Sequence, residues 1–234
     1  MNDDLSMTLG PHEMTFVLDV PESGTVTELS GFDVYRPAGA AGPLPAAIIV
    51  PGPAPAGYPF APRQWPLFTG YGRLLASKGV AAVVLDLPYH NPKDWAEVSE
   101  PLPALVDAVR GLDEVDGDRV ALWAFSGGAL LVGSWFPKSP QWLRCLALTY
   151  PLLGPSTDEL RPGRPLVITR AGKEKPEMQA EVDRFLSHAV GAGASVHVID
   201  VPNGQHGFDV ADHTDESRQA VRQAADFVVA QLTR

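Results

Sequence analysis

Cysteine occurs once in the chain, at Cys145, so no disulfide can close within it. Set in the apolar stretch "LRCLALTY", that thiol is expected to be a small core residue rather than a reactive group. Positive charge is scarce as well. The 18 Lys and Arg are outnumbered by 28 Asp and Glu, giving a formal net charge of −10. Phosphate backbones and anionic lipid are held by clustered Lys and Arg, so neither nucleic acid nor a membrane is an expected partner. No run of about 18 apolar residues is present, the length a spanning helix needs. The opening "MNDDLSMTLG" lacks the basic-then-apolar order of an export signal, so a cytoplasmic location is expected. Neither a phosphate-cradling P-loop nor a G-x-G-x-x-G after the first apolar strand occurs, and no cofactor is expected. These exclusions leave a small molecule as the expected partner; a homodimer stays open, with nothing in the pattern asking for one.

What is present is apolar and periodic. Of the 234 residues 45% are hydrophobic, enough to bury one sizeable core, and the expectation is one domain over residues 1–234, with 1–13 a loosely ordered lead-in. Two stretches, "MTFVLDV" (14–20) and "GFDVYRP" (31–37), alternate enough to predict antiparallel strands joined by a turn. The texture then changes to short continuous apolar runs at 46–50, 80–85, 120–125, 145–148, 166–169 and 196–201. Runs of that length fit strands buried on both faces. Between them lie helical stripes: Leu102, Leu105, Val106 and Val109; Val182, Phe185, Leu186, Ala189 and Val190; Val221, Ala225, Val228 and Leu232. Strand alternating with helix predicts an α/β fold with a doubly wound, mostly parallel sheet, and a site at the carboxyl ends of its strands. The proline-rich "VPGPAPAGYPFAPRQWP" (50–66) follows a strand and is expected to be a stiff loop over that site.

At "ALWAFSGGALL" (121–131) one serine stands between a strand-like run and two glycines. Ser126 either caps the next helix or is a nucleophile on a sharp turn, flanked at −2 and +2 by the small Ala124 and Gly128 that let strand and helix approach. A serine nucleophile needs a base, and histidine has the pKa for that work. His206, in "VPNGQHGF" after the last strand-like run, is the candidate. His12, His188, His197 and His213 are expected to be structural, while His90 and Tyr89, at a strand's carboxyl end, are candidates for the pocket wall. A carboxylate should orient the imidazole. It is expected after the run at 166–169, where Glu174 is chosen from a field that includes Glu177, Asp183 and Asp158. The acid-rich "HGFDVADHTDE" (206–216) lacks a tight metal-ligand pattern, and no metal is expected. Trp65, Phe68, Trp135 and Phe136 are candidates for an apolar pocket or for core.

Together, "RVALWAFSGGA", "RAGKE" with the stripe "EVDRFLSHAV", and "GQHGF" resemble the α/β-hydrolase superfamily, and most closely its dienelactone-hydrolase-like members. The resemblance spans roughly residues 30–233 and follows the superfamily order of serine, acid, histidine. It implies that Ser126 attacks an acyl carbon, His206 moves the proton and Glu174 holds His206. Only residues 149–165 separate two of the strand-like runs, so no large cap domain is expected. Two departures stand out. Dienelactone hydrolases proper use cysteine, so Ser126 points to a serine esterase of small esters, lactones or thioesters. Relatives also read His-Gly-x after the first parallel strand, with residue x donating its N–H to the oxyanion; here the segment is Pro51-Gly52-Pro53, and proline has no N–H. Gly127 N–H supplies one donor; Gly52, Ala54 in a shifted register, or the Tyr58 hydroxyl are the candidates around the second. That departure keeps a non-hydrolytic enzyme (a cyclase, isomerase or lyase) as the alternative, with a non-catalytic ligand-binding protein behind it.

Overall fold

The continuous apolar runs become the centre of a sheet. A computed structural model describes residues 9–138, 140–154 and 164–234. Its strands are β1 (Thr25–Leu29), β2 (Phe32–Arg36), β3 (Leu44–Val50), β4 (Ala81–Leu85), β5 (Val115–Phe125), β6 (Leu143–Thr149), β7 (Leu166–Ala171) and β8 (Val196–Val201). They form one sheet in the order β1-β2-β4-β3-β5-β6-β7-β8. β1 pairs with β2 and β2 with β4 antiparallel; every later pairing is parallel. From β3 the chain builds outward in one direction to β4 and then returns to place β5 on the other side. Such a reversal leaves a crevice at the strands' carboxyl ends.

Alternation along these strands feeds two cores. Ala47, Ile49, Trp123, Phe125 and Ala147 face α1 (Pro66–Ser77) and α8 (Asp215–Leu232). Ile48, Val50, Leu122, Ala124 and Leu148 face α2 (Trp95–Ser99), α3 (Leu102–Arg110), α4 (Gly128–Leu131), α5 (Trp135–Lys138) and α6 (Pro176–Gly191). Helices therefore cover both faces, as the uninterrupted apolar strands require. Cys145 is fully buried among them, and burial pushes its thiol up to about 12. Trp135 and Phe136 belong to this second core rather than to a pocket. Val190, assigned to the α6 stripe, is instead 70% exposed at the helix end.

One expected strand is corrected. Residues 14–20 form no strand; the partner of β2 is β1, across a turn at Gly31, whose φ is +89°. β1 is almost wholly exposed, so its sequence carries little apolar signal. The segment around Phe16 instead crosses the helical face as a strap. Val17 and Leu18 are both buried, which breaks two-residue alternation, and Val17 N–H donates to the Asp209 carbonyl at 2.8 Å. Phe16 packs against Tyr71 at 4.9 Å between ring centroids and sits where a side chain at Gly70 would clash. Glycines at 70 and 72, the second facing Tyr35, give α1 its close packing and dilute its stripe in the sequence.

Candidate active site

β5 ends at Phe125, and Ser126 turns the chain with φ of +51°. That left-handed conformation costs a serine about 1–3 kcal/mol and persists only where neighbours enforce it. They do so through backbone: Ser126 N–H donates to Thr149 O at 3.0 Å, and Ser126 O accepts from Ala129 and Leu152. The turn is pressed against the end of β3. A Cβ on Gly128 would lie 2.4 Å from Val50 O, and one on Gly52 would lie 3.1 Å from both Phe125 O and Ser126 Cβ. The N-cap of α4 is Gly127, without a side-chain cap. Ser126 therefore does not cap the helix. Its Oγ lies 2.8 Å from His206 Nε2.

His206 follows β8 in a loop tied down at several points. Gly204 N–H returns to Val201 O and its own carbonyl accepts from Lys173; Gln205 binds Asp212 through backbone and side chain; Gly207 is left-handed, with φ of +75°. The other imidazole nitrogen, Nδ1, is hydrogen-bonded to Glu174 Oε2. Glu174 Oε1 accepts from Lys175 N–H at 3.0 Å. The loops after β7 and β8 meet closely enough that a Cβ on Gly172 would lie 2.2 Å from Pro202 O. Of the rival acids, Asp183 pairs with Arg170 at 2.8 Å, Glu177 is exposed in the first turn of α6, and Asp158 lies outside the described residues.

The oxyanion side departs from the expectation. Pro53 Cδ sits 2.8 Å from where a Gly127 Cβ would be, so the proline nitrogen presents carbon, not hydrogen, beside the turn at Ser126. The shifted register through Ala54 is not adopted, because Ala54 N–H donates to Tyr89 O at 2.9 Å. Tyr58 does not substitute: its hydroxyl is hydrogen-bonded to His12 Nδ1 and its ring lies outside the cavity beside Ser126. Tyr89 and His90 do not line that cavity either. Tyr89 is buried, its hydroxyl pushed up to about 12 by burial and then Asp94, and it donates to Gly127 O at 3.2 Å. His90 faces Ala54 O at 3.1 Å. Both brace the two loops from behind. Gly127 N–H has no acceptor among the described residues.

The cavity beside Ser126 and His206 has a volume of about 300 Å³, with Met14, Trp65, Leu67, Phe68, Phe125 and Val210 in its walls and no Asp, Glu, Lys or Arg. Trp65 and Phe68 thus serve as pocket walls. Sequence reasoning missed Met14 and Pro11 of the strap, and it missed Tyr150 and Asp209. Tyr150 follows β6 with φ of +38°, and its ring lies 4.7 Å from the His206 imidazole. Asp209, in α7 (Phe208–Ala211), is wholly buried and accepts from the Tyr71 and Tyr150 hydroxyls. Both tyrosines are held well above their ordinary pKa by burial and then by the Asp209 charge. The rest of the acidic stretch is structural: Thr214 caps α8 by accepting from Ser217 N–H, Asp215 pairs with Arg218, and Glu216 binds Asn203.

With strand order, the turn at Ser126 and the histidine loop in place, the chain superposes on solved esterases. Brefeldin A esterase, a bacterial homologue of human hormone-sensitive lipase, aligns with a TM-score of 0.71 at 17% identity, over 92% of this chain and 80% of that one. The chain has the α/β-hydrolase fold. Esterase 2 of Thermogutta terrifontis, solved phosphoramylated by tabun, aligns with a TM-score of 0.68 at 15% identity over 89% and 95% of the two chains. A Klebsiella pneumoniae protein assigned as a dienelactone hydrolase gives 0.66 at 20% identity over 89% and 98%. No protein-family model matches the chain, and no curated protein matches it significantly. Among the described residues no helix is long and apolar enough to cross a membrane.

Proposed function

We propose that the protein is a cofactor-free, cytoplasmic serine hydrolase of small esters, lactones or thioesters. The observation that carries the reading is the unbroken chain from Ser126 Oγ through His206 to Glu174, at a serine whose backbone is left-handed. In this reading His206 Nε2 takes the Ser126 proton as Oγ attacks the acyl carbon, and Glu174, accepting from Nδ1–H, fixes the tautomer and stabilises the imidazolium. Gly127 N–H faces the developing oxyanion. The imidazolium then protonates the leaving group, and a water, deprotonated by His206, releases the acyl group from Ser126. A compact apolar acyl or alkoxy group fits the cavity. Esterases and a dienelactone hydrolase assignment among the structural relatives support the same chemistry.

The Pro53 observation favours a second reading, in which the pocket and His206 perform acid–base chemistry on a cyclase, isomerase or lyase substrate. A fluorophosphonate probe with peptide mapping separates the two. Labelling at Ser126, lost in His206→Ala, is the expected result. An unmodified Ser126, together with a panel of activated esters left intact, overturns the hydrolase.

A further inference from the structure

Asp209 is an unusual residue to find in a core. It is 0% exposed, and among the described residues no cation pairs with it; its side-chain partners are two hydroxyls. Tyr150 donates to Oδ1 at 3.0 Å and lies 3.1 Å from Oδ2, and Tyr71 donates to Oδ2 at 3.0 Å. Burying a carboxylate without a cation is costly, and apolar side chains of similar volume fill a core at least as well. What the carboxylate does that an apolar group cannot is fix two hydroxyls in space. One belongs to α1, whose Tyr71 ring is itself wedged between Trp123 and Phe125 at 4.9 and 4.8 Å. The other belongs to Tyr150, whose strained backbone and 5% exposure aim its ring at His206.

The imidazole needs such backing. Its side chain is 38% exposed, and its two hydrogen bonds hold only the ring's edges, at Ser126 and Glu174. The Tyr150 ring packs against the imidazole at 4.7 Å between centroids, tilted by 55°. We propose that Asp209 is a positioning residue for His206: by clamping the Tyr150 hydroxyl to α1, it fixes the aromatic wall that keeps the imidazole aligned between Ser126 and Glu174. Asp209 lies three residues beyond His206, and its backbone carbonyl also receives the strap's Val17 N–H. Asp209 therefore gathers α1 and the end of β6 at its carboxylate, and the strap at its backbone carbonyl, within the histidine loop. Burial raises the Asp209 carboxyl to about 7, against the lowering effect of the two tyrosine hydrogen bonds.

The inference rests on the proposed hydrolase for its kinetic consequence but not for its geometric one, and the test uses both. Asp209→Asn and Tyr150→Phe, assayed on an activated ester that the wild type hydrolyses, are each expected to lower kcat about tenfold with KM within about twofold. The double variant should be no worse than the weaker single, since both changes break one clamp. Val228→Ala, which removes buried packing from α8, is the control: it should lower the melting temperature and leave kcat alone. Separately from turnover, the His206 ring signals in proton–nitrogen correlation spectra should be one sharp set in the wild type. They should broaden or split in both clamp variants. Wild-type kcat in both variants with unmoved His206 signals overturns the proposal, as does an equal loss of kcat in Val228→Ala. A wild type that neither takes the fluorophosphonate nor cleaves esters, while its His206 signals still respond to Asp209→Asn, removes the hydrolase and leaves the clamp standing.

Discussion

In the proposed hydrolase, Pro53 removes a backbone donor from the loop beside Ser126. In every other residue type the third bond of the backbone nitrogen carries hydrogen; here it carries Cδ, and that atom abuts Gly127. Replacing the ring with a simple side chain would therefore aim a new N–H at the elbow. A lost oxyanion donor costs on the order of 100- to 1000-fold, and a gained one should return part of that, because the loop's neighbouring bond from Ala54 to Tyr89 O keeps its course. Pro53→Ala is expected to raise kcat for activated esters by about tenfold, with KM little changed. Steady-state kinetics on one ester checks it. An unchanged or lower kcat would mean that the oxyanion is bound elsewhere.

At the scale of elements, the strap 9–20 supplies part of the wall of the cavity beside Ser126. It is anchored by Val17 to α7, by Phe16 against α1, and by Thr15 to His213, in the loop between α7 and α8. Met14 hangs from it into the cavity wall. Shortening that side chain should lengthen the pocket without touching Ser126 or His206, so Met14→Ala is expected to shift the preferred acyl chain of p-nitrophenyl esters upward by about two to four carbons, at roughly 0.8 kcal/mol per buried methylene. An unchanged chain-length profile would show that acyl groups bind elsewhere. The strap reads as a strand in the sequence because Val17 and Leu18, with the partly buried Phe16, are covered by tertiary contacts that local alternation does not encode. The strands β3 to β7 were legible for the opposite reason: burial on both faces writes itself as a continuous apolar run, whereas the edge strand β8, VHVIDV, is largely exposed. Ser126, Glu174 and His206 could be picked out because each follows a strand, and strand ends converge in this topology. Tyr71, Tyr150 and Asp209 could not, since they come from three distant segments and an acid in an acidic stretch gives no sign of being buried.

For the molecule as a whole, the buried Asp209 carboxyl, which has no cation beside it among the described residues, couples folding to pH. In the folded state Asp209 holds its proton up to about pH 7, whereas its ordinary value is 3.8. Between those values the native chain binds a proton that the unfolded chain has released, so unfolding releases it and stability falls as pH rises through this window. Above about 7 both states are ionised and the loss is complete. A shift of that size corresponds to at most roughly 4 kcal/mol, or several degrees of melting temperature for a chain this long. Other groups contribute slopes of their own: burial raises Asp33 in the same sense, while the Arg119 hydrogen bond lowers Asp116 and acts oppositely. They are common to the wild type and to Asp209→Asn, and they cancel in the difference between the two. That difference, the wild-type melting temperature minus the variant's, should therefore decline by several degrees from pH 5 to pH 7.5 and then level off. Parallel melting curves across the range would mean that Asp209 ionises in the core as readily as in water, and that the two tyrosine hydroxyls fully offset the absence of a cation.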